Sequence, residues 1–383
     1  MNQLPLHGLT VLEFSQYLSG PSAGLRLADL GARVIKIERP GTGDACRRLS
    51  IKNLWVDGDS LLFHTINRNK ESYTADLKSE EGLQQIKKLI AVADVLTHNF
   101  RPGVMESAGL GYDDIKTLNP RLIYGAISGY GKEGPWKDRP GQDLLLQSMS
   151  GLAYTTGNEN DNPIPFGLSI ADSLCGAQLV QGILASLVRR GKTGKGALVE
   201  ISMMESLLDF QFEFLTTYHS SGHLPKRSRN NNGNPLLSAP YGIYATADGF
   251  VAIAMVNIPQ LAQAIASTPL AAYTQDQAFS HRDEIKSSLA QHLLANPTHY
   301  WLERLHAEDL WAMEVLDWRT LTAHEGYRIL EMEQPVTTAR GKRVITTRCP
   351  IRIDGERLFA EKPAPMLGQD NIKIELELQQ WTS

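Results

Sequence analysis

Leu9–Asp44 reads LTVLEFSQYLSGPSAGLRLADLGARVIKIERPGTGD, and its alternation of patterns decides the fold. Leu9–Phe14 is a short apolar run that predicts a strand. Gly20–Gly31 (GPSAGLRLADLG) predicts a helix, with Pro21 suited to an early helical position and Gly31 to a stop. Arg33–Glu38 (RVIKIE) predicts a second strand. The same alternation continues through a helical pattern at Ser79–Ala93 and strands at Val95–Thr97 and Leu122–Ser128. Strands separated by helices point to an α/β sheet with helical cover, not to an antiparallel sandwich.

Further along, a helix is expected from Asp172 to Val188 and a strand within Gly194–Met204, followed by an aromatic-rich segment, Leu207–Tyr218, expected to be core. Composition then breaks at Ser220–Ser238, which contains KRSRNNNGNP. Gly, Asn and Pro at that density favour turns. Tyr241–Thr246 and Phe250–Met255 flank Asp248-Gly249 and read as a hairpin. Short amphipathic helices at Arg282–Leu294 and Thr298–Leu305 complete what reads as a separate small domain. A strand at Arg343–Thr347 and a turn at Asp354-Gly355 precede the tail.

The 383 residues carry 38 Lys and Arg against 42 Asp and Glu, a formal charge of −4. That balance argues against nucleic acid as a partner. No apolar stretch reads as long enough to span a bilayer, and MNQLPLHG lacks the features of a secretion signal, so no membrane partner is expected. Cys46, Cys175 and Cys349 show no metal-ligand spacing, and their odd number fits a reducing compartment, so a cytoplasmic location is expected. Cys175 lies in an apolar helical run and reads as buried packing. The His residues form no HExxH pattern, and no metal is expected.

The first strand-to-helix turn, SQYLSGPSAG, is neither GxGxxG nor a Walker loop, so a nicotinamide enzyme would lack its usual phosphate signature. Arg39–Asp44 (RPGTGD) is either a turn or an anion site, with Lys36, Arg39, Arg47 and Arg48 as nearby cations. Asp143, in RPGQDLLLQSMSGL (Arg139–Leu152), stands at the start of an apolar helical segment. It is either a cap or a carboxylate held there for chemistry. Asn67, Lys70, Asn99, Phe100 and Arg101 follow other elements and are candidates to converge at one side of the sheet, together with SGYGKEGPW at Ser128–Trp136.

In order along the chain, LHGLTVLEFSQYLSGPSAG, LADLGARVIKIERPGTGD, NRNKES, ADVLTHNFRPGVMESAGLGYDDIKTLNPRLIYGAISGYGKEGP, GQDLLLQSMSGL, GLSIADSLCGAQL and RRGKTGKGALVEISMMES together resemble the class III coenzyme A transferase family. The resemblance implies a doubly wound α/β large domain built from residues 1–224 and 316–383. It also implies a smaller α+β domain at 225–315, and two chains interlocked as a homodimer. It makes Asp143 the catalytic aspartate and Arg39 a phosphate contact of coenzyme A. Lys70, Asn99, Phe100 and Arg101 become further cofactor-region contacts, and Gln16, Tyr17, Leu18 and Ser19 line the acyl region, with Gln142 beside them. Coenzyme A and acyl-CoA are then substrates and products, with no permanently bound cofactor. The partners are an acyl-CoA donor and a small carboxylic acid acceptor.

The implied chemistry is self-consistent. An ionised Asp143 exposed to substrate attacks a thioester carbonyl to give a mixed anhydride, and the coenzyme A thiolate then attacks the Asp side of it. The resulting aspartyl thioester is returned to a second acid by the reverse steps. Leu18 stands where the formyl-transferase branch carries Gln, and Asn230–Pro235 (NNNGNP) stands near that branch's run of glycines. The first difference puts formate–oxalate specificity in question, and the second segment is not expected to cover the intermediate as that branch's glycines do. Short carboxylates such as oxalate and succinate are the candidate class, with none singled out. An α-methylacyl-CoA racemase is the alternative enzyme. It carries GHD where this chain has Gly141-Gln142-Asp143, and Gln lacks the required proton-transfer group. Asp172 matches its second acid–base position, or caps the long helix. A coenzyme A-binding protein without catalysis is a third reading.

Overall fold

The computed structural model describes residues 4–360 and 362–381. Its contacts divide the chain into one unit of Met1–Leu146, Ser169–Leu207 and Leu330–Ser383, and a second of Gln147–Leu168 and Leu208–Ile329. The second unit contains the 225–315 segment and also takes in 147–168, 208–224 and 316–329, which the sequence reading places in the large domain.

In the first unit the strands are β1 (Thr10–Glu13), β2 (Arg33–Glu38), β3 (Lys70–Thr74), β4 (Val95–His98), β5 (Ile123–Ser128) and β6 (Ala197–Ser202). They form one parallel sheet in the spatial order β3-β2-β1-β4-β5-β6. The order reverses between β1 and β4. Loops leaving the carboxyl ends of those two strands diverge, and a doubly wound sheet opens its ligand crevice there.

A parallel sheet must be covered on both faces. On one face Leu12, Ile35, Ile37, Leu96 and Tyr124 pack against Ile86, Leu89 and Ile90 of α2 (Glu80–Val92) and Ile374 of the C-terminal helix Asn371–Trp381. Each buried aliphatic side chain of this kind contributes about 1.5–3 kcal/mol. The other face carries α1 (Ser19–Asp29) and α4 (Ile170–Thr193). Close approach is what the small residues are for. A Cβ at Gly24 would collide with the Glu13 carboxylate, and one at Gly176 would meet the Ser19 carbonyl oxygen at 2.7 Å.

One expectation needs correction. By length and composition α4 is apolar enough to cross a membrane, although no stretch was expected to be. Interspersed Gly, Ser and Gln hide its apolar character, and Asp172 with the terminal Arg189, Arg190 and Lys192 is all the charge it carries. Here Ala171, Cys175, Gly176, Leu179, Val180 and Ile183 are buried on the sheet side, while Val188 is exposed. The strand β3, KESYT, has no apolar pattern to announce it: Lys70, Glu71 and Ser72 are buried polar residues, and Tyr73 joins the core.

In the second unit the expected hairpin forms from β7 (Gly242–Ala245) and β8 (Phe250–Ile253), and β9 (Ala312–Glu314) extends it antiparallel. Tyr244, Val251 and Ile253 pack with Leu261, Ile285, Leu289, Leu293, Trp301 and Leu305 from the surrounding helices. The NNNGNP segment is tied to the helix Arg282–Leu293. Arg282 donates to the Pro235 carbonyl at 3.0 Å and Lys286 to the Asn231 carbonyl at 2.9 Å. The aromatic segment is not core in this chain: helix Phe212–Ser221 buries none of its residues, and Phe212 is 62% exposed.

Candidate active site

The loop after β1 is held residue by residue. The Ser15 carbonyl accepts from Lys36 Nζ at 2.8 Å. Gln16 is clamped at both backbone groups by Asn99, which follows β4: its N–H donates to Asn99 Oδ1 at 2.8 Å, and Asn99 Nδ2 donates to its carbonyl at 2.7 Å. Tyr17 has φ of 63°, a left-handed conformation that costs a non-glycine residue about 1–2 kcal/mol. Its N–H donates to Asp44 Oδ1 at 3.2 Å, which helps to fix that geometry and leaves the phenol ring exposed. Leu18 packs against the small cluster of Cys46, Phe63, Ile66 and Ala364. Ser19 is buried at the first position of α1, where its hydroxyl accepts from Asn99 Nδ2 at 3.2 Å.

Beneath this loop lies a buried set of charges. Lys36 Nζ meets Glu13 Oε1 at 3.0 Å and Asp44 Oδ2 at 2.8 Å. Lys70 Nζ meets Glu13 Oε2 at 2.8 Å, the Pro21 carbonyl at 2.8 Å and Asn67 Oδ1 at 3.0 Å. The two cations balance two carboxylates, a condition for burying any of them. Burial and the Lys36 charge push Lys70 down to about 8, against the pull of Glu13. Lys36 is shifted up because Glu13, Asp44 and Glu38 outweigh its burial.

This arrangement corrects part of the expected coenzyme A site. The Lys70 and Lys36 side chains have no exposed surface, and Asn67 is fully buried. Arg47 is held by Glu38 at 2.7 Å and Asp59 at 2.6 Å. All four are structural supports, with no donor facing a phosphate. Arg39, Arg48 and Arg101 are exposed, and their guanidinium groups have no partner among the described residues. Phe100 is half-buried and stacks on His98, with ring centroids 6.1 Å apart and planes at 25°. Burial pushes His98 down to about 4, and its Nδ1 accepts the Phe100 N–H at 3.3 Å. Arg39 and Arg101 thus offer free cations at the carboxyl ends of β2 and β4, with a ring beside Arg101.

Asp143 is delivered by a backbone crossing. A Cβ on Gly141 would lie 2.7 Å from the Gly129 Cα, so the loop leaving β5 closes on itself with the two glycines in contact. Asp143 then opens α3 (Asp143–Met149), and Gln142, exposed, accepts the Leu146 N–H at its carbonyl. The Asp143 carboxylate reaches the start of a second helix. Its Oδ2 accepts from the N–H groups of Ala171, at 2.7 Å, and Asp172, at 3.2 Å, in the first turn of α4. Free amides and the dipole at a helix start stabilise an anion there. The expectation of a substrate-exposed carboxylate is corrected, since Asp143 is only 9% exposed and lies against that helix end.

Asp172 stands in the first turn of α4, after its N-cap position Ser169. Its carboxyl group lies near Ser19 at the start of α1, whose N–H and hydroxyl favour the charged form. Burial, and then the charge of Asp143, push Asp172 up to about 6. Sequence reasoning missed Glu13 and Asp44. A signal existed for the first: Glu13 and Lys36 interrupt two apolar strands and face each other in the register of β1 and β2.

Residues 6–371 match CoA-transferase family III. Succinyl-CoA:glutarate CoA-transferase of Homo sapiens is 31% identical over 392 residues, covering 99% of this chain and 87% of that protein. Succinate–glutarate CoA-transferase of Agrobacterium fabrum is 32% identical over 401 residues, covering 98% and 96%. The crystal structure of a CAIB/BAIF family protein from Brucella suis superposes with a TM-score of 0.86 at 31% identity, covering 98% of this chain and all of that one. A match over residues 6–371, together with relatives above 30% identity over nearly the whole length, establishes that the chain belongs to CoA-transferase family III.

Proposed function

We propose that this protein moves coenzyme A from an acyl-CoA thioester to a free short dicarboxylic acid, with Asp143 as the covalent nucleophile. The observation that carries this reading is the pair of amides on Asp143 Oδ2. Attack of the Asp143 carboxylate on the thioester carbon expels coenzyme A thiolate and leaves a mixed anhydride. The thiolate then adds to the Asp143 carboxyl carbon, and negative charge develops on its carbonyl oxygen. If that oxygen is Oδ2, the Ala171 and Asp172 N–H groups already face it, so the donors need no rearrangement. Collapse releases the donor acid and leaves the aspartyl thioester, which the acceptor acid discharges by the same steps in reverse. Burial of Asp143 keeps water from both intermediates.

Arg39 and Arg101 are the candidate phosphate contacts and Phe100 a stacking surface for the ligand. Asn99, by contrast, acts by holding Gln16 and Ser19 in the acyl region. A dicarboxylate substrate is supported by the relatives named for succinyl-CoA and glutarate. A homodimer, interlocked as in the resemblance, is supported by the exposed aromatic helix Phe212–Ser221 and the exposed Val188 side of α4. Gln142, a neutral amide beside Asp143, argues against proton exchange at the substrate α-carbon. Incubation with succinyl-CoA and glutarate or a homologous diacid tests the reading. Acceptor-dependent formation of the new thioester, with little hydrolysis, is expected. Exchange of the α-proton of a 2-methylacyl-CoA without any transfer would overturn it.

A further inference from the structure

Asp143 and Gln147 stand one helical turn apart and so share a face of α3. Both side chains bond to the backbone of the same stretch of chain, the one that leads into α4. Asp143 Oδ2 accepts from the Ala171 N–H at 2.7 Å and the Asp172 N–H at 3.2 Å. Gln147 Oε1 accepts from the Phe166 N–H at 2.8 Å. Its Nε2 donates to the Phe166 carbonyl at 3.3 Å and to the Leu168 carbonyl at 3.2 Å. Resting on the reading of Asp143 as the nucleophile, we propose that Gln147 is a positioning residue, which fixes the segment before α4 and thereby holds the Ala171 and Asp172 amides where the Asp143 oxyanion needs them.

The segment has little else to fix its path. Phe166, Gly167, Leu168 and Ser169 are all exposed, so burial of their own side chains does not hold them. Gln147 is only 2% exposed. A primary amide carries an acceptor oxygen and two donor hydrogens, and here both kinds are directed at backbone groups of Phe166 and Leu168. Leu168 precedes Ala171 by three residues, so a shift at Leu168 passes to the start of α4.

Donors aimed at a developing charge accelerate a step only if they are in place before it, because reorienting them during the reaction costs what they would return. The oxyanion on Asp143 forms only after acyl-CoA is bound. An effect routed through its donors therefore falls on kcat and leaves KM for acyl-CoA unchanged.

The test compares wild type with Gln147→Met, which keeps the length of the side chain and removes its bonds to the segment. The freed backbone groups lie in an exposed stretch and can turn to water, so the variant is expected to fold. Its kcat should fall by about 100-fold at unchanged KM for acyl-CoA, the order that a lost oxyanion donor costs. Hydrogen exchange read by mass spectrometry should show protection lost in peptides spanning residues 164–173 and retained elsewhere, whereas a merely structural role would loosen the chain broadly. A second measurement needs no variant: in wild type the Phe166 N–H should exchange at least about tenfold more slowly than a free amide, although its side chain is exposed. Wild-type kcat in Gln147→Met, protection lost throughout the chain, or a Phe166 N–H that exchanges at the free rate overturns the proposal. Absence of a coenzyme A adduct on Asp143 in wild type would instead overturn the reading of Asp143 on which it rests.

Discussion

At Lys70 the ammonium has four acceptor atoms within 3.0 Å and no exposed surface, while Arg39, one strand away, is exposed and unpaired. Identical charge therefore gives opposite consequences on removal. Lys70→Met leaves Glu13 with Lys36 alone, and loss of one partner of a buried pair costs about 3–5 kcal/mol. A lowered denaturant midpoint is expected. Arg39→Ala should leave the midpoint unchanged and raise KM for acyl-CoA about tenfold, the effect of one lost charge-assisted contact of about 1.5 kcal/mol. A stable Lys70→Met with impaired coenzyme A binding would reverse the two assignments. At this scale the sequence was partly legible. Asp143 stands out because a Gly-flanked polar residue opens an apolar helix. Lys70 was misread because a cation beside a cofactor and a cation beneath a loop look alike until its neighbours are known. The left-handed Tyr17 was hidden altogether, since its conformation is imposed by Asp44 and Asn99 from two other strand ends.

Among the elements, the glycine contact between the loop after β5 and the start of α3 sets the position of Asp143. Gly141→Ala would place a methyl group 2.7 Å from the Gly129 Cα, a backbone atom that cannot rotate away. The loop must shift and carry Asp143 from the α4 amides. A displacement near 1 Å costs about 100-fold in rate. Steady-state kcat for coenzyme A transfer should fall by that order, and Gly167→Ala, where added bulk meets nothing within 4 Å and φ is not positive, is the control for a change of loop residue alone. Equal kcat for Gly141→Ala and wild type would show that the crossing does not position Asp143. β2 was legible to the residue, and β1 nearly so, because buried parallel strands read as apolar runs. β3 was not, because it contributes buried Lys70, Glu71 and Ser72. The packing of α1 on α4, where a Cβ at Gly176 would meet the Ser19 carbonyl oxygen at 2.7 Å, joins residues far apart in sequence, and no local pattern announces it.

The whole molecule keeps apolar surface that a single chain leaves in water, on helix Phe212–Ser221 and along α4. Light scattering after size exclusion is expected to give twice the chain mass, unchanged on dilution to nanomolar concentration. A monomer at any concentration in that range would contradict the proposed homodimer. The central claim concerns one atom group, and one measurement reaches it most directly. Incubation with an acyl-CoA donor, followed by intact-protein and peptide mass spectrometry, should show a coenzyme A adduct that maps to Asp143 and disappears in Asp143→Ala. An adduct on another residue, or full transfer activity in Asp143→Ala, would contradict the account.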